Sequence, residues 1–303
     1  MKESVKTNRR SLRHLVPPVD IAGRIERSER MDRPIRVLAK AVRQRIGPGR
    51  LRDLLHGVPT GKPLHPPLTD LSLGCWLATA VLDLAGADPR AARAVLATGI
   101  AGAIPTAASG ITDWSALHRE QQRVGFVHAI ANVAALGLYV GSLAFRIAGH
   151  DRRGKLLAFA GLGAAGAGGY LGGHLAYRQA AGSNHAESVT HLVPLGWHDL
   201  CELKDLPEGR PVARRLGYID LFVLRVGEGV TVLADHCSHL AGPLHQGQLV
   251  SDQGTVCVVC PWHGSAFRLT DGTVAHGPAT APQPYFETRI RRDGVLQVRP
   301  API

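Results

Sequence analysis

The chain has 303 residues, 35 Lys and Arg against 24 Asp and Glu, a formal charge of +11 and 5 cysteines. This length leaves room for several domains, and an odd, sparse set of thiols excludes a disulfide scaffold, so any that cluster point to a metal. The charge is confined: residues 1–66 hold sixteen basic and six acidic side chains, the rest nineteen and eighteen, so the excess suits one segment at a membrane surface rather than a nucleic-acid-binding chain.

Within residues 1–66, the stretch MDRPIRVLAKAVRQRIG predicts an amphipathic helix. Ile35, Leu38, Ala39, Val42 and Ile46 share one stripe, and Arg36, Lys40, Arg43 and Arg45 lie largely off it. Such a helix suits an anionic membrane surface; a solvated basic arm is the plainer alternative. Arg9 and Arg10 in TNRRSLRHL faintly resemble a twin-arginine export signal, but no apolar stretch follows them.

From residue 67 to 180 the composition is that of a four-helix membrane domain. Residues 94–112, 124–145 and 156–177 contain no Asp, Glu, Lys or Arg, and each is long enough to cross roughly 30 Å of hydrocarbon. Residues 71–87 form a weaker span, interrupted by Asp83. The last span carries Gly161, Gly163, Gly166, Gly169, Gly172 and Gly173, which weaken a helix in water but allow close helix contact in lipid. The basic N-terminus is expected to stay on the cytoplasmic side of the plasma (inner) membrane, and four crossings return the C-terminal part there. Arg146, Arg152, Arg153 and Lys155 in the connection between the last two spans argue the other way.

Four crossings also place His65, Asp113, His118, His128 and His174 on one side, where the C-terminal part begins. Ionisable groups in spans are costly and are often functional. His128 and His174, at similar depth, are candidates for axial ligands of a b-type haem or for a quinone pocket; the plainer alternative is that each hydrogen-bonds a neighbouring helix or reaches the headgroups. The motifs HPPLTDL at 65–71, SGITDW at 109–114 and GGHLAYR at 172–178, with Asp83, resemble a bacterial family of small four-helix membrane domains of unknown function.

Residues 181–303 read as a small antiparallel β domain. PVARRLG, YIDLFVLRV, GVTVLAD, TVCVV, PYFETRI and GVLQVRP are short apolar or alternating runs separated by Gly, Asp and Pro turns. Inside it, ADHCSHLAGP supplies Cys237 and His239, and CPWHGS supplies Cys260 and His263, with twenty residues between the halves. Two thiolates and two imidazoles on two loops suit either tetrahedral zinc or a two-iron cluster. Cys257 is expected in a buried strand, and Cys75 and Cys201 as apolar filler.

The C-x-H, spacer, C-x-x-H pattern resembles the Rieske [2Fe-2S] family over roughly residues 190–303, including a later segment around Gly277 and Pro278. The resemblance implies an antiparallel β sandwich or barrel. It also implies that Cys237 and Cys260 hold one iron and His239 and His263 the other. Respiratory Rieske proteins carry an extra disulfide whose places here are Gly242 and Trp262, so the site looks like the ferredoxin and oxygenase branch. Ser265 matches a serine that donates to cluster sulfur in the respiratory proteins, whereas Phe267 replaces a tyrosine. This implies an intermediate potential within about −150 to +300 mV. With only forty residues after His263, no further domain with a two-histidine, one-carboxylate iron site is expected. The expected protein is a membrane-anchored electron carrier serving a reductase, oxygenase or respiratory partner. A quinol- or haem-coupled oxidoreductase subunit and a redox sensor are the alternatives.

Overall fold

The computed structural model describes residues 17–301, so Arg9 and Arg10 lie outside the described residues. Among the described residues seven α-helices precede ten strands: α1 (Pro17–Glu26), α2 (Asp32–Arg45), α3 (Arg50–His56), α4 (His65–Leu84), α5 (Pro89–Trp114), α6 (Arg119–Ile147) and α7 (Asp151–Gly173), the last running into a π-helical turn at His174–Arg178. The helix starts follow local chemistry. Asp88 caps α5 by accepting from the backbone N–H of Arg90 at 2.8 Å, with Pro89 in the first turn where no donor is needed. His118 caps α6: its ring accepts from the backbone of Gln121, whose side-chain oxygen accepts from the N–H of His118 at 3.0 Å.

The long helices α4 to α7 form the bundle. Trp76 of α4 stacks on Tyr139 of α6 with ring centroids 4.3 Å apart. Small residues set the α6–α7 distance: a Cβ on Gly161 would stand 3.2 Å from the Tyr139 ring, and one on Gly154 would stand 2.5 Å from Cγ of Arg146. Asp83, which weakened the first span in the sequence, is paired with Arg146, both almost fully buried, and Nζ of Lys155 lies 3.9 Å away. Among the described residues three helices, Pro89–Trp114, Arg119–Ile147 and Asp151–Arg178, are long and apolar enough to cross a membrane. The fourth expected span differs: α4 has the length, but it is not among the three, and Asp70 and Asp83 dilute its apolar character.

The α2 stripe also differs from expectation. Ile35, Ala39 and Val42 are buried, and Ile35 and Ala39 pack with Trp114, Leu117 and Phe126 at one end of the bundle. Three of the five stripe residues are therefore covered by protein, while Leu38 of the same stripe and its neighbour Val37 are exposed. Asp32 at the head of α2 holds Arg123 of α6 by two hydrogen bonds of 2.7 and 2.9 Å, which lower the Asp32 carboxyl below its ordinary range.

The strands are β1 (His198–Glu202), β2 (Val212–Leu216), β3 (Ile219–Val226), β4 (Gly229–Ala234), β5 (Gln248–Asp252), β6 (Thr255–Val259), β7 (Ala266–Arg268), β8 (Val274–His276), β9 (Tyr285–Ile290) and β10 (Val295–Pro300). They make a six-stranded sheet, β1-β10-β9-β4-β3-β2, and a four-stranded sheet, β5-β6-β7-β8, with antiparallel pairing throughout. Contacts between β1 and β2 curl the larger sheet into a nearly closed barrel. Its core includes Leu221, Val223, Val232, Phe286, Leu296 and Val298. A second cluster, with Phe222, Leu233, Val258 and Phe267, reaches Cys237 and Cys260 and so joins barrel to site. Cys257 is fully buried on β6 as expected, and Cys201 packs at the edge of the barrel core.

Candidate metal centre

Two loops at one end of the β domain carry the four expected residues. The β4–β5 connection holds Cys237 and His239, and the short β6–β7 connection holds Cys260 and His263. Each loop is tightly closed. The N–H of Cys237 donates to the carbonyl of Gly242 at 2.9 Å and that of Ala241 to Cys237 at 2.8 Å; the N–H of Cys260 donates to Ser265 at 2.8 Å and that of Gly264 to Cys260 at 3.1 Å. Gly264 turns with φ of 78°. Gly242 is needed for space, because a Cβ there would stand 2.7 Å from Sγ of Cys260.

The arrangement sorts ligands by type. The thiols of Cys237 and Cys260 lie together in one packed cluster, close enough to share a proton. The rings of His239 and His263 meet edge to face with centroids 5.1 Å apart. Among the described residues no three His, Cys, Asp or Glu side chains gather where one metal ion could bind. A tetrahedral zinc needs all four donors around one point, whereas a two-metal cluster needs a sulfur pair and a nitrogen pair side by side. The donor set therefore fits a two-iron cluster better than zinc.

The electrostatics agree. Sharing a proton with Cys237 lowers the Cys260 thiol to about 7, assisted by the N–H groups of Trp262 and His263, and the same shared proton with burial raises Cys237. Burial holds His239 well below its ordinary value and lowers His263 to about 4, with His118, Arg43 and Arg52 adding to the effect on His263. Both imidazoles are therefore neutral near pH 7 and keep a lone pair for a metal.

A third loop, after β8, braces the two. Its Ala279 N–H donates to Oγ of buried Ser265 at 2.9 Å, leaving the Ser265 hydroxyl proton free to donate. Gln283, also buried, accepts from the N–H of Ser238 at 2.9 Å and donates to the carbonyl of Ala234 at 2.8 Å, fixing the first metal loop. Phe267 is fully buried and offers no hydroxyl.

The helical half covers this end of the β domain. The His118 ring lies 5.3 Å from His263 and 5.3 Å from Trp262. Asp53 of α3 accepts from the N–H of Gly277 at 2.9 Å and pairs with Nδ1 of His276 at 2.8 Å. His65, Asp113 and His118 thus belong to the end of the bundle that meets the β domain. Sequence reasoning missed Asp53, His56, Gln283 and the Asp235–His245 pair, which meets at 2.7 Å. A charged residue in a short basic helix and a glutamine in a loop carry no local signal of the partner they reach.

The expected pairing of His128 with His174 is not formed. Nδ1 of His128 lies 2.7 Å from the carbonyl of Gly168, and its ring neighbour is His65 at 6.3 Å. His174 turns toward Glu26 of α1, 3.6 Å away. A Cβ on Gly172 would already stand 3.2 Å from the His128 ring, so α7 presses against that histidine with no gap for a macrocycle. A haem held by these two residues is therefore not supported.

A β domain with paired Cys-x-His and Cys-x-x-His loops defines, by class, an iron–sulfur electron-transfer domain. The chain belongs to the Rieske [2Fe-2S] domain family, which matches residues 196–287. Residues 61–185 match a second family, described as a predicted membrane protein (DUF2231). The chain is 34% identical over 101 residues to ferredoxin CarAc of Metapseudomonas resinovorans, covering 33% of this chain and 90% of that protein. It is 31% identical over 110 residues to the anthranilate 1,2-dioxygenase ferredoxin subunit of Burkholderia cepacia, covering 36% and 97%. A solved complex of reduced oxygenase and oxidized ferredoxin in carbazole 1,9a-dioxygenase is similar at 30% identity, 35% of this chain, 97% of that chain and a TM-score of 0.31. The family implies a [2Fe-2S] cluster, and its ferredoxins support an electron-transfer role.

Proposed function

We propose that the protein is a membrane-anchored Rieske electron carrier in which Cys237 and Cys260 hold one iron of a [2Fe-2S] cluster and His239 and His263 the other. The observation that carries this reading is the segregation of a thiol pair from an imidazole pair at the meeting of two loops. When bound, the cluster supplies one-electron chemistry. The chain's own residues position it: Gly242 leaves room beside Cys260, Ser265 offers a hydroxyl proton toward the site, and the neutral histidines donate nitrogen lone pairs. Likeness to dioxygenase ferredoxins favours a protein redox partner, a reductase on one side and an oxygenase component on the other.

The anchor is residues 67–180 and the carrier residues 181–303, with the basic segment 1–66 between membrane and cytoplasm. The plasma membrane with a cytoplasmic Rieske domain is the favoured placement, because residues 1–66 carry the charge excess and Asp53 of that segment bonds His276 and Gly277 of the β domain, which keeps the two on one side of the membrane. The opposing basic connection counts for less than its sequence suggests, since Arg146 is paired with Asp83 inside the bundle and Lys155 lies beside that pair.

A second reading, exchange of electrons with a membrane quinol, is favoured by the contact of His263 with His118, which turns the histidine side of the site toward the bundle. Reduction assays separate the two. The carrier reading expects bleaching of the cluster's visible absorbance by NADH with a ferredoxin reductase. Bleaching by quinol alone in proteoliposomes, and none by the reductase, overturns it in favour of the second.

A further inference from the structure

Between the two halves lies a string of ionisable side chains that neither a cluster nor an anchor requires. His56, 1% exposed, bonds through Nδ1 to Oδ1 of Asp113 at 2.6 Å, and its other nitrogen accepts from Nε of Arg52 at 3.4 Å. Gly277, in the loop that braces the metal loops, presses on this ring: a Cβ there would stand 3.2 Å from Cδ2 of His56. On the far side, His65 at the head of α4 is within electrostatic reach of Asp113, and its ring lies 6.3 Å from that of His128. Nδ1 of His65 and of His128 lie 3.0 and 2.7 Å from the carbonyls of Thr106 and Gly168. A carbonyl only accepts, so each Nδ1 carries the hydrogen; the Nε2 lone pair of His65 can take a further proton, and that of His128 accepts from Nδ2 of Asn132 at 3.2 Å, a contact a proton there would displace.

Ionisable groups at membrane depth mark proton or ion paths when they face one another rather than lipid. We propose that the His56–Asp113 pair, continued by His65 and His128, takes up a proton from water when the neighbouring metal centre takes up an electron. This rests on the [2Fe-2S] reading of that centre. The step balances: one electron enters from a one-electron donor, one proton enters from water, one N–H or O–H bond forms, and nothing leaves. Asp113 is the member of the pair nearest the surface, its side chain 30% exposed against 1% for His56.

The physical cause is a unit of negative charge added beside a low-dielectric pair, which raises the pair's affinity for a proton. The charged group facing the pair is Arg52 on α3, and the titratable groups within electrostatic reach are His65 on α4 and, across the interface, His239. His128 faces His65 from α6, with Asn132 beside it, and α7 offers it Gly168 and Gly172. The string differs from the metal histidines themselves, because its protons sit on residues of the helical half.

The test uses full-length holoprotein in nanodiscs, titrated with dithionite and mediators between roughly pH 5 and 8, where histidine-containing pairs change charge. The expected midpoint potential falls as pH rises, by at most about 59 mV per tenfold change in proton concentration for one electron, and Asp113→Asn flattens that slope. Redox-difference infrared spectra of protein with isotopically labelled aspartate are expected to show a carboxyl signal that is lost in Asp113→Asn. Equal slopes in both proteins, or no aspartate signal in the native one, overturn the proposal. Should Asp113→Asn fail to fold, the native infrared spectrum decides by the same criterion. A preparation lacking any reduced-cluster resonance overturns the metal reading instead, and this inference with it.

Discussion

The imidazole of His118, the N-cap of a bundle helix, stands 5.3 Å from the imidazole of His263 on the second metal loop. The capping box fixes His118 through Gln121 and so aims its ring. A residue that starts a helix of the bundle thus forms part of the wall around the candidate metal centre.

The α3 latch is expected to respond to pH. The hydrogen bond from Nδ1 of His276 to the Asp53 carboxylate raises His276 above its ordinary value, so the docked state favours the charged imidazole. A raised value contributes stability that is fully present below the ordinary histidine pKa of about 6.5 and is lost as pH rises through the elevated one. Amide hydrogen exchange of residues 50–56, corrected for intrinsic rates, should therefore speed up on alkalinisation, and Asp53→Asn should abolish the change.

Asp83→Ala leaves Arg146 buried without its partner. The expected cost is about 3–5 kcal/mol, seen as a lowered thermal midpoint in detergent. Asp83→Ala combined with Arg146→Met should recover much of it, because no unpaired charge then remains.

Two glycines of α7 should behave oppositely. A Cβ on Gly154 would meet Arg146 and the carbonyl of Ser142 at 2.5 and 2.9 Å, whereas one on Gly163 meets nothing within 4 Å. Gly154→Val is expected to reduce folded yield and to destabilise by at least about 1–3 kcal/mol, the ordinary cost of overpacking. Gly163→Val should match the native protein in the same assay.

Ser265→Ala leaves the buried N–H of Ala279 without an acceptor, at an expected cost of about 1–3 kcal/mol. It also removes a hydroxyl donor beside the site, so the midpoint potential should fall in a spectroscopic titration. An unchanged potential would assign Ser265 to bracing alone.

The motif and the strands were legible in the sequence because both depend on short-range patterns. The spacing of Cys237, His239, Cys260 and His263 needs only two turns, and alternation in YIDLFVLRV needs only one sheet face. β1, β5, β7 and β8 were not anticipated: β7 and β8 have three residues each, too few for any periodicity, and HDLCE on β1 and QLVSD on β5 are mostly polar. The stripe of Ile35, Ala39 and Val42 was visible, but its partner was not, because a hydrophobic face does not state whether lipid or Trp114 will cover it. Asp83 looked like an interruption only because Arg146 lies 63 residues away in sequence. The His56–Asp113 contact is equally invisible, joining a short helix to the end of a span.

The most direct measurement is iron and sulfide analysis of the purified full-length protein, combined with low-temperature electron paramagnetic resonance after dithionite reduction. The account predicts equal iron and acid-labile sulfide, with a resonance of a reduced mixed-ligand two-iron centre that is lost in Cys260→Ser and in His263→Ala. Stoichiometric zinc, or iron with an unchanged resonance in those variants, would contradict it.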